Sequence, residues 1–331
     1  MNTLDTDDTV IAPPNATIVD LSPDLESMQD AVIDGLSMSP KWLPAWLFYD
    51  ARGSKLFEAI CEQPEYYPTR TELSILKQHG RDIAETLGEG CRLVELGSGA
   101  DIKAKTLLRI LKSPDGYVAI DISGSQLRAS ALALAREFPR LPITGIVADY
   151  GEDSSLPLEE SPGDGPLVGF FPGSTIGNME PRVAETFLAA WAERLSGGGM
   201  LVGVDLLKPA ERLNAAYNDA AGITVDFNLN MLRHINRELG TDFNLSRFKH
   251  RAFFNAEKSR VEMHLVSDGM QTVHVAGQAF RFKDGESIHT ESSCKYSIDS
   301  FQQLARRAGF EPQNVWTDDE QLFSVHYLRA P

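Results

Sequence analysis

Cysteine is scarce: three in 331 residues, Cys61, Cys91 and Cys294, with no CxxC spacing and an odd one over. A disulfide framework is not implied, and a reducing cytoplasm is the expected setting. Basic residues are short as well, 31 Lys and Arg against 47 Asp and Glu, for a net charge of −16. That balance argues against nucleic acid as a partner. It suits solubility and, more weakly, attraction of a cationic ligand. No apolar run reaches the roughly 20 residues of a membrane span. The first residues, "MNTLDTDDTV", lack the apolar segment of a signal peptide. The seven histidines form no i,i+4 pair and no HExxH, so a metal site is not expected.

What is present is globular in amount, 42% hydrophobic and 24% charged, on a chain too long for one simple core. Residues 1–16, rich in Asp, Thr and Pro, read as a loose leader. "SPDLESMQDAVIDGLS" reads as a helix capped by Ser22, with Pro23 in its first turn. The aromatic stretch from Lys41 to Gly88 holds at least two helices. Thr69 or Thr71 is the expected cap of the second, which runs to Leu87. From Cys91 the apolar runs "CRLVELG", "GYVAIDI", "ITGIVAD", "LVGFFPG" and "MLVGVDLL" alternate with helical patterns. That predicts a doubly wound parallel sheet.

After Leu207 the alternation stops, and two helices and a set of strands follow, with hairpin signals at Asp268-Gly269 and Ala276-Gly277. A helix stopped at Gly309 and a last strand pair then complete the sheet. The predicted fold is α/β: a Rossmann-like sheet with a second α+β domain built from the N-terminal segment and the insertion. The expected boundaries are a leader at 1–16, a substrate-binding domain at 17–70 with 208–295, and a nucleoside-binding domain at 71–207 with 296–331.

Strand ends in such sheets are where ligands sit. Gly97-Ser98-Gly99 turns from the first strand into a helix, and Glu95, Asp121 and Asp149 stand near three strand ends. A carboxylate at Asp121 suits the two hydroxyls of a ribose, and one at Asp149 suits an adenine amine. Ile102 occupies the third glycine position of a dinucleotide fingerprint. An acidic crevice is also poor for phosphates and good for a sulfonium. S-adenosylmethionine therefore fits better than NAD. After the fourth strand, "FFPGSTIGN" offers Gly173 and Gly177 for close backbone contact and Asn178 for an amine or carboxylate. The bland alternative is that Ser174 to Asn178 only cap the next helix.

Late in the chain, "IHTESSCKYS" alternates His289, Glu291, Ser293 and Lys295 on one side with Thr290, Ser292 and Cys294 on the other. His289 and Cys294 then point apart, which argues against a shared metal. Thr290, Ser292 and Lys295 read as a solvated edge.

Together "FYDARGSKLFEAICEQPEYYPTRTE", "VELGSG", "FPGSTIGN", "AAYND", "FNLNMLRHINRELG" and "TESSCKY" resemble the ergothioneine-pathway L-histidine Nα-methyltransferases, from about Pro40 to the end. The resemblance implies three S-adenosylmethionine-dependent methylations of the α-amino group of L-histidine, giving the betaine hercynine. It implies cofactor contacts at Gly97, Ser98, Lys103, Asp121, Asp149 and Tyr150. It implies head-group contacts at Tyr66, Asn178 and Tyr217, a ring-lining Met263, and Glu291 with Ser293 on the imidazole. Tyr49 falls near the amine and is the candidate catalytic group, while Phe57 and Tyr67 read as core aromatics. The expected enzyme is a monomer needing no metal. The competing readings are a relative acting on another amino acid, a nicotinamide-dependent oxidoreductase and a non-catalytic binder. Retention of S-adenosylmethionine but not NADH, and a mass gain on histidine, separate them.

Overall fold

In the computed structural model the described residues are 13–21, 27–99, 102–151 and 156–331. The N-terminal part contributes β1 (Ala16–Asp20), α1 (Met28–Ser37), β2 (Lys41–Trp42), α2 (Ala51–Cys61), α3 (Pro68–Gln78) and α4 (Gly80–Leu87). The alternating region follows as β3 (Arg92–Leu96), α5 (Ile102–Leu108), β4 (Gly116–Asp121), α6 (Gly124–Glu137), β5 (Ile143–Val147), β6 (Leu167–Phe171), α7 (Pro181–Arg194) and β7 (Gly199–Asp205). The insertion holds α8 (Ala210–Ala216), α9 (Ile223–Leu239), β8 (Phe248–Asn255), β9 (Arg260–Ser267), β10 (Gln271–Val275), β11 (Gln278–Phe282) and β12 (Ser287–Cys294). The chain ends with α10 (Ile298–Arg307), β13 (Glu311–Thr317) and β14 (Phe323–Arg329).

The five apolar runs are five adjacent inner strands, β5-β4-β3-β6-β7, and their place explains the absence of a polar face. The large sheet reads β1-β5-β4-β3-β6-β7-β14-β13, parallel except where β14 enters antiparallel between β7 and β13. Helices cover both sides, so strand residues must be apolar in both directions. Val94 and Leu96 pack in one core with Phe187, Trp191 and Phe301. Leu93, one residue out of phase, packs in the other with Leu107 and Leu134. A third core gathers the N-terminal segment and the insertion: Phe227, Met231 and Ile235, spaced four apart on α9, meet Val261, Met263 and Leu265 of β9. There the sheet order is β2-β12-β9-β8.

Several local expectations change. Residues 17–20, expected with the substrate-binding segment, form β1 and pair with β5 in the large sheet. Asn15, expected in the loose leader, donates to the carbonyls of Phe138 and Leu141 at 3.0 and 2.8 Å. The β-branched Thr17-Ile18-Val19 run explains this extension better than the acidic composition before it. Residues 1–12 of that leader, and Ser22 with Pro23, lie outside the described residues; Ser27 caps α1 by accepting the Asp30 N–H at 3.1 Å.

Neither Thr69 nor Thr71 caps α3. Pro68 opens it, and Thr71 Oγ1 donates back to the Tyr67 carbonyl at 2.8 Å. The run to Leu87 is two helices, broken at His79. Ala276 and Gly277, both left-handed at φ 48° and 80°, turn the β10–β11 hairpin. Asp268-Gly269 is no hairpin: β9 pairs with β8 and β12, while β10 pairs with β11.

Candidate active site

The turn after β3 brings backbone close to the strand ends. Gly97 is left-handed at φ 75°, and the Tyr150 hydroxyl lies where a Cβ would stand 3.3 Å from it. Ser98 is buried, and its hydroxyl has no hydrogen-bond partner among the described residues. Asp121 closes β4 and accepts the Ser123 N–H at 2.8 Å; burial raises its pKa above the ordinary aspartate value. Asp149 lies two residues past β5 and accepts the Gly151 N–H at 2.7 Å. The Tyr150 ring packs on Phe171 and Phe187, 6.0 and 6.3 Å between centroids. Burial, then the charges of Asp121 and Asp149, keep its phenol protonated. Gly97, Asp121 and Asp149 thus all lie near Tyr150. Glu95 is not among them: this carboxylate is buried and accepts the Tyr117 hydroxyl, on the side of the sheet that holds Leu93.

Lys103, on α5, reaches Glu72 Oε2 at 2.6 Å. The fully buried Glu72 also accepts the Gly173 N–H, at 2.9 and 3.1 Å. Gly173 is left-handed at φ 80° and turns the chain after β6. Thus α3, α5 and the loop after β6 meet at one carboxylate. Sequence reasoning missed Glu72; the signal was a charge on the same helix stripe as Ile75 and Leu76.

On the acceptor side, aromatic rings form a connected wall. Phe57 lies 6.0 Å from Tyr49, 6.2 Å from Tyr66 and 6.1 Å from Phe227; Tyr66 lies 6.4 Å from Tyr217. Phe57, expected in the core, packs half-buried against the third core and also joins this wall alongside Tyr49 and Tyr66; Phe227 of that core was not foreseen at all. Tyr49 keeps 45% of its surface accessible, yet loss of hydration, followed by the nearby Glu291, drives its phenol pKa far up. Tyr150, Cys61 and Tyr217 push it in the same direction. Tyr67 is buried as expected, with its hydroxyl on Asp205 at 2.8 and 2.9 Å.

Asn178 ends the short 3₁₀ turn Thr175–Asn178 and is exposed. This turn does not cap α7, whose cap position is Glu180 without a side-chain bond. It leans on the end of β12, where a Cβ on Gly177 would come within 2.8 Å of the Cys294 carbonyl.

On β12 a bulge reorders the side chains. His289 pairs with His264 and Glu291 with Met263, so one extra residue, Thr290, is taken up between them. Glu291 and Ser293 consequently share the face of Met263 and Val261, toward α9. His289, Ser292 and Cys294 share the other face. The expected alternation, with His289 beside Glu291 and opposite Cys294, is therefore broken. β12 is also flanked on both sides, and Thr290 and Lys295 are 1% and 3% accessible, so neither lies on a solvated edge. Thr290 spends its hydroxyl on Asn228 Oδ1 at 2.8 Å and the Met263 carbonyl at 3.1 Å. Glu291 has no side-chain hydrogen bond among the described residues. Burial pushes its pKa up to about 7, against the opposing pull of the Lys295 ammonium.

Residues 28–330 match the sequence profile of the SAM-dependent histidine-specific methyltransferases. A histidine N-alpha-methyltransferase of Mycobacterium tuberculosis is 40% identical over 303 residues, 89% of this chain and 92% of that one. One from Mycolicibacterium smegmatis is 38% identical over 306 residues, 91% and 94% of the two chains. The ergothioneine biosynthesis protein 1 of Neurospora crassa is 31% identical over 87% of this chain and 33% of its own length. This chain belongs to the SAM-dependent histidine-specific methyltransferase family.

The methyltransferase also holds a buried ion network that sequence reasoning did not find. Asp205, the last residue of β7, accepts from Lys208 at 2.6 Å and Lys295 at 2.7 Å besides the Tyr67 hydroxyl. Burial alone would raise the Asp205 pKa, but the two ammoniums hold it below the usual range. Burial draws Lys208 down to about 8. Lys295 goes the other way, because Asp205 outweighs the cost of its burial. The backbone N–H of Asp205 donates to Ser174 Oγ at 3.0 Å, which ties the loop after β6 to the same point. Nothing in the spacing of Tyr67, Asp205, Lys208 and Lys295 marks them as partners. The helix and strand connections bring them together.

Proposed function

We propose that this methyltransferase transfers three methyl groups in succession to the α-amino nitrogen of L-histidine, releasing the trimethylated betaine hercynine for ergothioneine biosynthesis. The observation that carries the reading is the pair Glu291 and Ser293 on one face of β12, beside Met263 and next to the aromatic wall. A carboxylate accepts a ring N–H and a hydroxyl serves the second ring nitrogen. A pocket that presents such groups rejects apolar side chains, because its own polar groups would go unpaired. Tyr66, Asn178 and Tyr217 hold the amino-acid head group, Gly173 gives the close backbone approach, and Met263 packs on the ring. Residues 27–70 and 208–295 form the substrate side.

Gly97, Ser98, Lys103, Asp121, Asp149 and Tyr150 hold the methyl donor. The unpartnered Ser98 hydroxyl and the acid at the end of β4 suit a nucleoside with free hydroxyls and no phosphate. S-adenosylmethionine, when bound, supplies a methyl carbon made electrophilic by a sulfonium. The protein's task is alignment of the amine with that carbon, a contribution worth roughly 7–11 kcal/mol where two reactants are well oriented. No step requires a metal. The aromatic wall tolerates an amine that grows with each turnover and stabilises the final quaternary cation. Tyr49 stays a neutral phenol across the working range and serves as a relay for the proton the amine gives up. The enzyme works as a monomer in the cytoplasm, a setting that its three free cysteines suit.

Incubation with S-adenosylmethionine and a panel of amino acids, followed by weighing of the products, tests the reading. Histidine should gain one, two and three methyl groups, and other amino acids few or none. Preferential methylation of another amino acid would overturn it. An unchanged rate and pH profile in Tyr49→Phe would remove Tyr49 from the reaction.

A further inference from the structure

The reader of the imidazole rests on a buried ammonium that the proposed chemistry leaves unused. Lys295 Nζ lies 2.7 Å from Asp205 Oδ2, 2.7 Å from Ser293 Oγ and 3.1 Å from the Tyr217 hydroxyl. An ammonium has three N–H donors and no acceptor, so these three contacts use all of them. Each hydroxyl oxygen therefore accepts a hydrogen bond from Lys295 and keeps its own O–H to donate, and Ser293 lies close enough to Tyr217 to lower its pKa. The ammonium cannot easily swing away, because Asp205 is itself fixed by Lys208 and Tyr67.

We infer that Lys295 is a positioning residue for substrate choice: it turns Ser293 and Tyr217 into donors aimed at the ligand, and so selects a neutral imidazole whose single N–H faces Glu291. The inference rests on the proposed reading of Glu291 and Ser293. A neutral imidazole has one donor and one acceptor, and Glu291 with a donating Ser293 matches that pair. An imidazolium would bring a second N–H, and a positive charge, up to a hydroxyl that Lys295 already holds. Tyr217, which accepts from the same ammonium, donates its O–H to the substrate carboxylate. One cation thus links the ring contact to the head-group contact. Tyr49, Tyr66 and Tyr217 face Glu291 from three other segments, Asp205 and Lys208 lie behind Lys295, and the Lys295 charge opposes the protonation of Glu291 that burial favours.

The test is a double-mutant cycle of Lys295→Met and Ser293→Ala, with KM and kcat for histidine followed across pH. Lys295→Met should raise KM roughly 10- to 100-fold, the scale of a charge-assisted hydrogen bond, with a smaller change in kcat. In the Ser293→Ala background the same substitution should cost much less. The acid limb of the KM profile should also move to higher pH, because Glu291 loses the cation that opposes its protonation. Additive effects together with an unmoved limb would overturn the inference and leave Lys295 as scaffold. If Ser293→Ala and Glu291→Ala each leave the KM for histidine unchanged, the reading of the ring pocket fails instead. Calorimetric affinity for S-adenosylmethionine reports folding of each variant. Lys295→Gln, which keeps a donor in the same space, should recover part of the loss and replaces the Met variant if that one does not fold.

Discussion

At the head of the eight-stranded sheet, Gly97, Asp121 and Asp149 stand where regular elements stop, and each is placed by the backbone geometry of its own strand end. On the four-stranded sheet, Glu291 and Ser293, the proposed ring contacts, share the face of Met263 and Val261 just past a bulge, and a buried ammonium fixes one of them. The proposed donor site thus rests on ordinary chain geometry, and the proposed ring contact on an irregularity together with a charge network. Geometry of the first kind suits a ligand common to many methyltransferases. The second kind suits a choice among amino acids that differ in one side chain.

If the two regions are separate in this way, substitutions in each should leave the other's ligand alone. The largest effect is expected at Asp121. Asp121→Ala removes the carboxylate proposed to hold two ribose hydroxyls, and hydrogen bonds to a charged group are worth about 1.5–3 kcal/mol each. Calorimetric affinity for S-adenosylmethionine should fall about 100-fold or more. The ranking of amino acids at saturating donor should stay the same. A reshuffled ranking would mean that the crevice also shapes the acceptor pocket.

Glu291→Ala should do the reverse with a smaller effect. Discrimination of histidine from phenylalanine, measured as a ratio of kcat/KM values, should fall roughly 10- to 100-fold. Donor affinity should be unchanged. Equal losses for every amino acid would make Glu291 a structural residue and erase the distinction between the regions.

The same contrast decides what was legible before the fold was known. The alternation of strands and helices, the insertion and the glycine-acid turns at the strand ends were legible, because apolar runs and turns are local signals. Glu291 and Ser293 were visible as a pair two apart, but their neighbours were misplaced because period-2 alternation fails at a bulge, and nothing in "IHTESSCKYS" announces one. Lys295 looked solvated because lysine usually is; its burial depends on Asp205, 90 residues earlier. Glu72 was hidden in the same way. A buried charge is justified by its partner, and partners distant in sequence show only in three dimensions.

The smallest expected effect concerns stability, and it probes whether the ring reader is strained without its ligand. Glu291 has a folded-state pKa of about 7 against an ordinary value of 4.5. The folded protein therefore holds this proton over a range where the unfolded chain has released it. Stability contributed by the neutral acid is fully present below about pH 4.5 and is lost as pH rises to about 7. Glu291→Gln cannot titrate, so it should gain on the wild type across that window. The gain should be on the order of 1–2 kcal/mol, discounted from the full shift because the carboxyl is part accessible. Denaturant melts at pH 5 and pH 8 measure the difference between the two proteins. Histidine should narrow it at pH 8 in the wild type, since a ring N–H on the ionised carboxylate offsets the cost of burying it. Asp121→Asn should show a change of the same sign, because burial also raises that carboxyl. Parallel stability curves for wild type and Glu291→Gln would show that Glu291 is at ease when empty, and the contrast with the donor crevice would then rest on shape alone.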